Sequence, residues 1–380
     1  MSYLVILIKE MKVYLAGGAV RDILLGKPIK DRDYLVTDTT RQEFEARFPA
    51  AREVGHTFPV YLLERMEFSF PRAETLEEEI KSRDLTVNAM LLDEDGELIA
   101  HPQALDDLVN RVLRPAAPDS LTSDPLRVFR AARFWARFPD FTPHPELRAA
   151  MSAVAEAGLL ETIAPDRVGQ ETIKALNSPK PGNFLQLLAE TRCLSPWFRE
   201  FQGGMTIPAG PPAYHDTHVI GHTCRIMDRL AGDEIAVWMG LCHDLGKMLS
   251  DPKFLPRHHG HDKRGIGPAE SLAKRIRLSN AHVTAGIKAA QWHMTAARYE
   301  ELRPGTRVDL LMDLHLSRTV APLFALIVAD TGVDLLSQAK TDLESILAVS
   351  LPPESRNLGS KSGQILRELR AAVLGRSKKR

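Results

Sequence analysis

Residues 13–36 read VYLAGGAVRDILLGKPIKDRDYLV, and this stretch decides the fold class. VYLA is an apolar, strand-like run that ends at Gly17-Gly18, as a strand entering a turn does. Ala19–Leu25 follows helical spacing and stops at Gly26. DRDYLV then returns to a strand pattern. Asp31 and Asp33 stand at i and i+2, so a strand would put both carboxylates on one face. Two hard carboxylates side by side repel unless a cation lies between them, and oxygen ligands suit Mg²⁺. Adjacent glycines let a backbone approach a ligand closely, and N–H groups at a helix start favour phosphate. Downstream, MEFSF (66–70) sets Glu67 on another strand as a third carboxylate. A phosphate cradle with three carboxylates is what metal-assisted phosphoryl transfer requires.

Working outward, the composition divides into zones. Residues 11–120 are β-rich and punctuated by glycine. FPVYLL (58–63), MEFSF and VNAMLLDEDGELIAH (87–101) read as strands, with DEDG at 93–96 as a hairpin turn. Arg41–Arg47 reads as a short helix. The expectation is an α+β domain with a small mixed, mainly antiparallel sheet. Residues 121–200 switch to helical spacing. SDPLRVFRAARFWARF (123–138) opens with Ser123 and Asp124 as cap candidates and a proline in the first turn. PDRVGQETIKAL (165–176) repeats the device, with Arg167 and Glu171 one turn apart. Phe201–Pro212 is rich in glycine and proline and reads as a linker. Residues 213–350 are again all-α and hold most of the histidines. Residues 351–380 read as a tail ending in a solvated RSKKR.

The chain has 380 residues, which suggests two or three domains. Lysine plus arginine equals aspartate plus glutamate at 49 each, so the protein does not coat nucleic acid by bulk charge. Any such contact must come from local basic patches. Hydrophobic content of 44% excludes a disordered chain. Three scattered cysteines make neither a disulfide framework nor a zinc pattern, which favours a reducing, cytoplasmic setting. No membrane span is expected: the longest apolar run, Val320–Ala329, is half of what a bilayer helix needs and contains a proline. MSYLVILIKE lacks the basic start and cleavage site of a signal peptide. It reads as a short first strand or as an extension ahead of a start at Met11.

Four blocks follow in order: GGAVRDILLG (17–26), DRDYLV (31–36), RDLTVNAM (83–90) and DPLRVFRAARF (124–134). Together they resemble the bacterial tRNA CCA nucleotidyltransferases and their poly(A) polymerase relatives, which are polymerase-β-like nucleotidyltransferases. The resemblance implies a nucleotidyltransferase head followed by an all-α neck. It implies that Gly17, Gly18 and Arg21 hold the nucleotide triphosphate and shape its pocket. Asp31 and Asp33 would bind catalytic Mg²⁺, with Glu67 as a supporting carboxylate. Arg83, Asp84 and Asn88 lie in the block that recognises ribose. Asp124 and Arg127 would be the protein template that reads CTP and ATP, with Arg130 and Arg133 nearby for phosphates. Asp124 and Arg127 are three apart, hence neighbours on one helix face. A carboxylate accepts from an exocyclic amine, and a guanidinium donates to a ring nitrogen and a carbonyl oxygen. The acceptor substrate implied is the 3′ end of tRNA.

The second half carries His222, His243-Asp244 in GLCHDLGK, His261 in RHHGHD (257–262), His293 and Asp330. This order resembles the HD superfamily of metal-dependent phosphohydrolases. His222, His243, Asp244 and Asp330 match its basic ligand set, and His261 and His293 match the ligands of a second ion. Imidazole with carboxylate suits Mn²⁺, Ni²⁺ or Co²⁺. His258 and His259 read as supporting or solvent-facing. GLCHDLGKM is not a P-loop, because five residues separate its glycines and Met248 stands where a hydroxyl would bind Mg²⁺.

Two departures from the resembled family stand out. Ser123 replaces the glutamate that normally precedes Asp124. And only PRAE (71–74) joins MEFSF to TLEEEIKSRD, where CCA-adding members carry a longer flexible loop implicated in switching from CTP to ATP. The short link resembles enzymes that add two cytidines and stop. The leading expectation is therefore CCA addition to tRNA, leaning to CC alone. A poly(A) polymerase is one alternative. Another is a protein whose main activity is hydrolysis of 2′,3′-cyclic or 2′-phosphates. A non-catalytic RNA-binding role is disfavoured by two sets of metal ligands complete in type.

Overall fold

In the computed structural model, residues 11–29, 31–54, 59–213 and 216–377 are described. The readings of MSYLVILIKE and of the RSKKR side chains lie outside the described residues. Two compact units result: residues up to Ala131 with Asp140–Leu159, and Ala132–Pro139 with Leu160–Arg380.

The first unit runs β1 (Lys12–Ala16), α1 (Gly18–Leu24), β2 (Arg32–Thr37), α2 (Arg41–Arg47), β3 (Arg52–Val54), β4 (Val60–Leu63), β5 (Met66–Ser69) and α3 (Leu76–Lys81). It continues with β6 (Met90–Leu92), β7 (Leu98–Ala100), α4 (Ala104–Val109), β8 (Val112–Leu113), α5 (Ser120–Ser123) and the start of α6 (Arg127–Arg137). β9 (Thr142–Pro143) and α7 (Pro145–Glu156) complete it. Seven strands form one sheet in the order β3-β4-β5-β2-β1-β6-β7. Every pairing is antiparallel except β2 with β5. The mixed, mainly antiparallel sheet expected from the sequence is present, and DEDG does turn β6 into β7.

Alternation along β1 and β2 sorts the core. Tyr14, Ala16 and Leu35 face one side with Ile80 and Leu91. Val36 faces the other with Phe44, Tyr61 and Phe68, where Tyr34 stacks on Phe68 at 5.1 Å between centroids. Phe44 is wholly buried, and such a ring contributes about 2–3 kcal/mol. α2 starts where it does because Thr40 and Glu43 form a reciprocal capping box. β5 passes to α3 through residues 70–75 alone, with Arg72 N donating to Glu79 Oε2 at 2.9 Å and Thr75 capping the helix.

The second unit holds the rest of α6, then α8 (Pro165–Leu176), α9 (Gly182–Glu190), α10 (Val219–Arg229), α11 (Glu234–Cys242), α12 (His261–Arg275) and α13 (Asn280–Ala296). α14 (Pro304–Leu316), α15 (Val320–Thr331), α16 (Leu336–Leu347) and α17 (Ser360–Ser377) follow. α11 is the central helix. Ala236 through Cys242 are all buried, as an apolar-all-round sequence demands, and α10, α13 and α15 pack around it. The stretch read as a linker belongs to this unit, with Phe201 and Ala209 fully buried. The segment read as a tail folds instead into α17, which buries Leu374 and pairs Arg367 with Asp309 of α14. Among the described residues, no single helix is long and apolar enough to cross a membrane.

Small residues allow the closest contacts. A Cβ on Gly246 would lie 1.9 Å from the carbonyl oxygen of His261, so the turn after α11 touches the backbone of α12. Gly246→Ala should therefore destabilise the second unit by about 3 kcal/mol, read as a lowered melting temperature. An unshifted melting curve would show that these two backbones are not held together.

Candidate functional site

The parallel pairing of β2 with β5 makes the first cluster. Its register sets Asp33 beside Glu67, and Asp31 lies two residues before Asp33 on the same face. All three side chains are exposed. Desolvation pushes the Asp33 pKa up, and the like charge of Asp31 pushes it the same way. Arg83 and Arg130 pull it back only in part. A divalent cation between these oxygens would offset that repulsion, so the donor set fits Mg²⁺. On the neighbouring β1, the chain turns at Gly17, whose φ of 62° and ψ of −119° favour glycine. A Cβ there would also meet Arg83 Nη1 at 2.8 Å.

A second set of predicted residues forms one hydrogen-bonded chain. Asp84 is buried. Its Oδ1 accepts from Leu85 N and Asn88 Nδ2 at 2.9 Å each, and its Oδ2 accepts from Arg130 Nε and Nη2 at 2.9 and 2.7 Å. Asn88 Oδ1 in turn accepts from Arg21 Nη1, and Arg21 also holds Asp22. Arg127 Nη1 donates to Ser120 O at 2.9 Å and to Arg83 O at 3.3 Å. Burial alone would raise the Asp84 pKa, but the Arg130 charge and these donors hold it far below the usual carboxylate range.

Three placements revise the sequence reading. Asp124 is not in the helix: it is extended at φ −140°, and its Oδ1 accepts from Leu126 N at 3.3 Å just before α6 begins. It still faces Arg127, with Nε and Oδ2 4.0 Å apart. Arg21 is buried and directs donors at Asp22 and Asn88 rather than outward. Arg133 belongs to the second unit, where it is buried against Glu171 at 2.5 Å and over the Phe134 ring at 4.4 Å. Helical spacing offered Arg167 as the partner of Glu171, and only the fold brings Arg133 to it.

All six predicted HD-type residues converge on Asp244 in the second unit. Asp244 Oδ2 lies 3.1 Å from His243 Nε2 and 3.4 Å from His222 Nε2. Asp330 Oδ1 lies 3.3 Å from the same His222 nitrogen. Asp244 Oδ1 lies 3.3 and 3.7 Å from His261 and His293 Nε2. The carboxylate thus stands between two groups, His222–His243–Asp244 and Asp244–His261–His293. Backbone carbonyls take the other ring nitrogen of three of these histidines: Gly240 O for His243, His258 O for His261 and Ala289 O for His293, at 2.7 to 2.9 Å. Each Nε2 lone pair is thereby aimed inward. Burial pushes the His293 pKa down to about 4, assisted by the charge of His243, so its ring is neutral near pH 7. Asp244 Oδ2 is buried and makes no well-formed hydrogen bond, although Lys247 Nζ lies 2.6 Å away. A buried carboxylate among inward imidazoles fits one or two divalent ions. Lys247 was not singled out from the sequence; its i+3 spacing from Asp244 was the available signal. His258 bonds Ser250 and Pro208 O, and His259 is exposed.

Strand, glycine turn, helix and paired carboxylates define a nucleotidyltransferase head. Residues 13–64 match the poly A polymerase head domain, and residues 140–204 match the probable RNA and SrmB-binding site of polymerase A. A multifunctional CCA protein of Stenotrophomonas maltophilia (strain R551-3) is 37% identical over 328 residues, covering 79% of this chain and 80% of that protein. The chain belongs to this family of CCA-adding nucleotidyltransferases. Its fold is also that of a CCA-adding enzyme solved in apo form I, with a TM-score of 0.65 at 20% identity over 96% of this chain and 87% of that one. The Thermotoga maritima CCA-adding enzyme complexed with tRNA gives 0.59 at 19% identity over 95% and 86%.

Asp84→Asn should lower unfolding stability by about 3 kcal/mol at neutral pH, since it weakens a buried ion pair. The Asp84 pKa is depressed on folding, so its contribution is present above its ordinary value of 3.8 and is lost as pH falls. The gap between wild type and variant in urea titrations should accordingly shrink in acid. A gap that is absent at pH 7, or that widens in acid, would refute this.

Proposed function

We propose that the head transfers cytidylate from CTP to the 3′ end of tRNA, and that Asp31, Asp33 and Glu67 are its catalytic carboxylates. The observation that carries this is the β2–β5 register, which pairs Asp33 with Glu67, with Asp31 two residues before Asp33. Mg²⁺ held there would lower the pKa of the attacking hydroxyl and offset charge on the departing pyrophosphate. Gly17 and Gly18 admit the triphosphate to the backbone. Asn88, held by Asp84 and Arg21, faces the ribose together with Arg83, which lies against Gly17. Asp124 accepts from the exocyclic amine of the base, and Arg127 donates beside it with its orientation set by Ser120 O. Asp33→Asn and Glu67→Gln should each reduce CTP addition, the first by at least about a thousandfold. Wild-type rates in Asp33→Asn would remove the carboxylate assignment.

The short link 70–75 supports addition of two cytidines without the terminal adenosine. On a tRNA transcript lacking its CCA, the protein should add two residues with CTP and none further with ATP. Complete conversion to CCA would refute this specificity and leave the transferase reading intact. Addition from ATP alone would favour poly(A) polymerase.

We infer further that His222, His243, Asp244 and Asp330 hold one divalent ion, and Asp244, His261 and His293 a second. The imidazole and carboxylate donors suit Mn²⁺, Ni²⁺ or Co²⁺, which would supply an activated water for hydrolysis of a phosphate ester. Calorimetric titration with Mn²⁺ should report up to two fewer sites in His243→Ala/Asp244→Ala than in the wild type, with the head carboxylates accounting for any that remain. Unchanged metal binding in that variant would exclude this cluster as the metal site.

A further inference from the structure

His222, Arg225 and Arg229 are spaced i, i+3 and i+7 on α10, so they share one helix face. That face opens into a cavity of about 360 Å³, which Asp330 and Asp216 also line. His222 and Asp330 are members of the cluster around Asp244, so the cavity meets the cluster on that side. Both arginines are exposed. Arg229 Nη1 donates to Ala329 O at 2.6 Å, which ties the guanidinium to the backbone next to Asp330 and fixes its direction. Arg225 pairs with Asp216 at 2.5 Å, and both side chains of that pair are open to solvent. Such a pair is weak and readily exchanged for a stronger anion.

Two guanidinium groups beside a cation site oppose cation binding. An anion lying among them and the ion removes that conflict. The guanidinium fork also matches a phosphate with two parallel N–H donors, as an ammonium does not. We propose that Arg225 and Arg229 form a phosphate subsite that takes the non-bridging oxygens of a phosphate ester beside the ion held by His222 and Asp330. The subsite orients the ester against the cluster and selects anionic substrates. This rests on the phosphohydrolase reading of the cluster and names two substrate-binding residues for it.

The test uses the full chain, with Arg225→Gln, Arg229→Gln, the double glutamine variant and the double lysine variant. Binding of orthophosphate is measured by calorimetry with and without Mn²⁺, and hydrolysis of 2′,3′-cyclic CMP is followed in parallel. Each single variant should bind phosphate about tenfold more weakly and the double about a hundredfold, with partial recovery in the lysine variant. Melting curves that overlay the wild type keep a folding defect from imitating this result. Equal phosphate affinity in the double variant, or no phosphate binding by the wild type, overturns the subsite. If cyclic CMP is not cleaved while phosphate binding depends on the arginines, the hydrolase reading fails and the subsite stands. If cleavage proceeds with an unchanged KM in the double variant, the subsite fails and the hydrolase reading stands.

Discussion

A carboxylate buried in protein stays charged only if donors surround it, and the head is arranged around meeting that demand at Asp84. Its two oxygens accept from Leu85 N, Asn88 and Arg130. Those donors belong to the 83–88 turn and to α6, and Asn88 passes the linkage on to Arg21 of α1. Segments distant in sequence are thereby held at fixed separations. Removing Asp84 would leave Arg130 and Asn88 to find other partners, and the spacing between the 83–88 turn and α6 would relax with them.

The places of proposed chemistry crowd several titratable groups together. Asp33 stands beside Glu67 in the β2–β5 register, and burial and the like charge of Asp31 push its pKa up. Asp244 has inward imidazoles on both sides and an oxygen without a well-formed hydrogen bond. Asp84 and Asp244 are both held charged by partners within the chain, whereas burial and the like charge of Asp31 push Asp33 up.

Much of this was legible because it is local. The DEDG turn, the helix after Gly17-Gly18 and the shared face of Asp31 and Asp33 follow from two- and four-residue periodicities. The grouping of the six histidines and aspartates was legible only through an ordered resemblance, since no spacing in the chain implies that His222 and Asp330 meet. Arg133 was misplaced for the same reason: helix spacing sets it near Arg130, but Glu171 is reached only through the fold. Asp124 was read both as a helix cap and as sharing a helix face with Arg127; the Pro125 that follows it biases it to extended backbone ahead of α6. β8 and β9, two residues each, carry too little periodicity to be seen. The C-terminal helix was missed because a basic, polar ending outweighed the apolar spacing of Ile365, Leu366 and Leu374.

The most direct measurement is a crystal structure with Mg²⁺ and a non-hydrolysable CTP analogue. The account predicts an ion coordinated by Asp31 and Asp33 on the Glu67 side, the triphosphate against Gly17-Gly18, and the Asp84–Arg130 pair intact. Nucleotide bound with no ion at these carboxylates, or with Arg130 withdrawn from Asp84 to reach it, would contradict it.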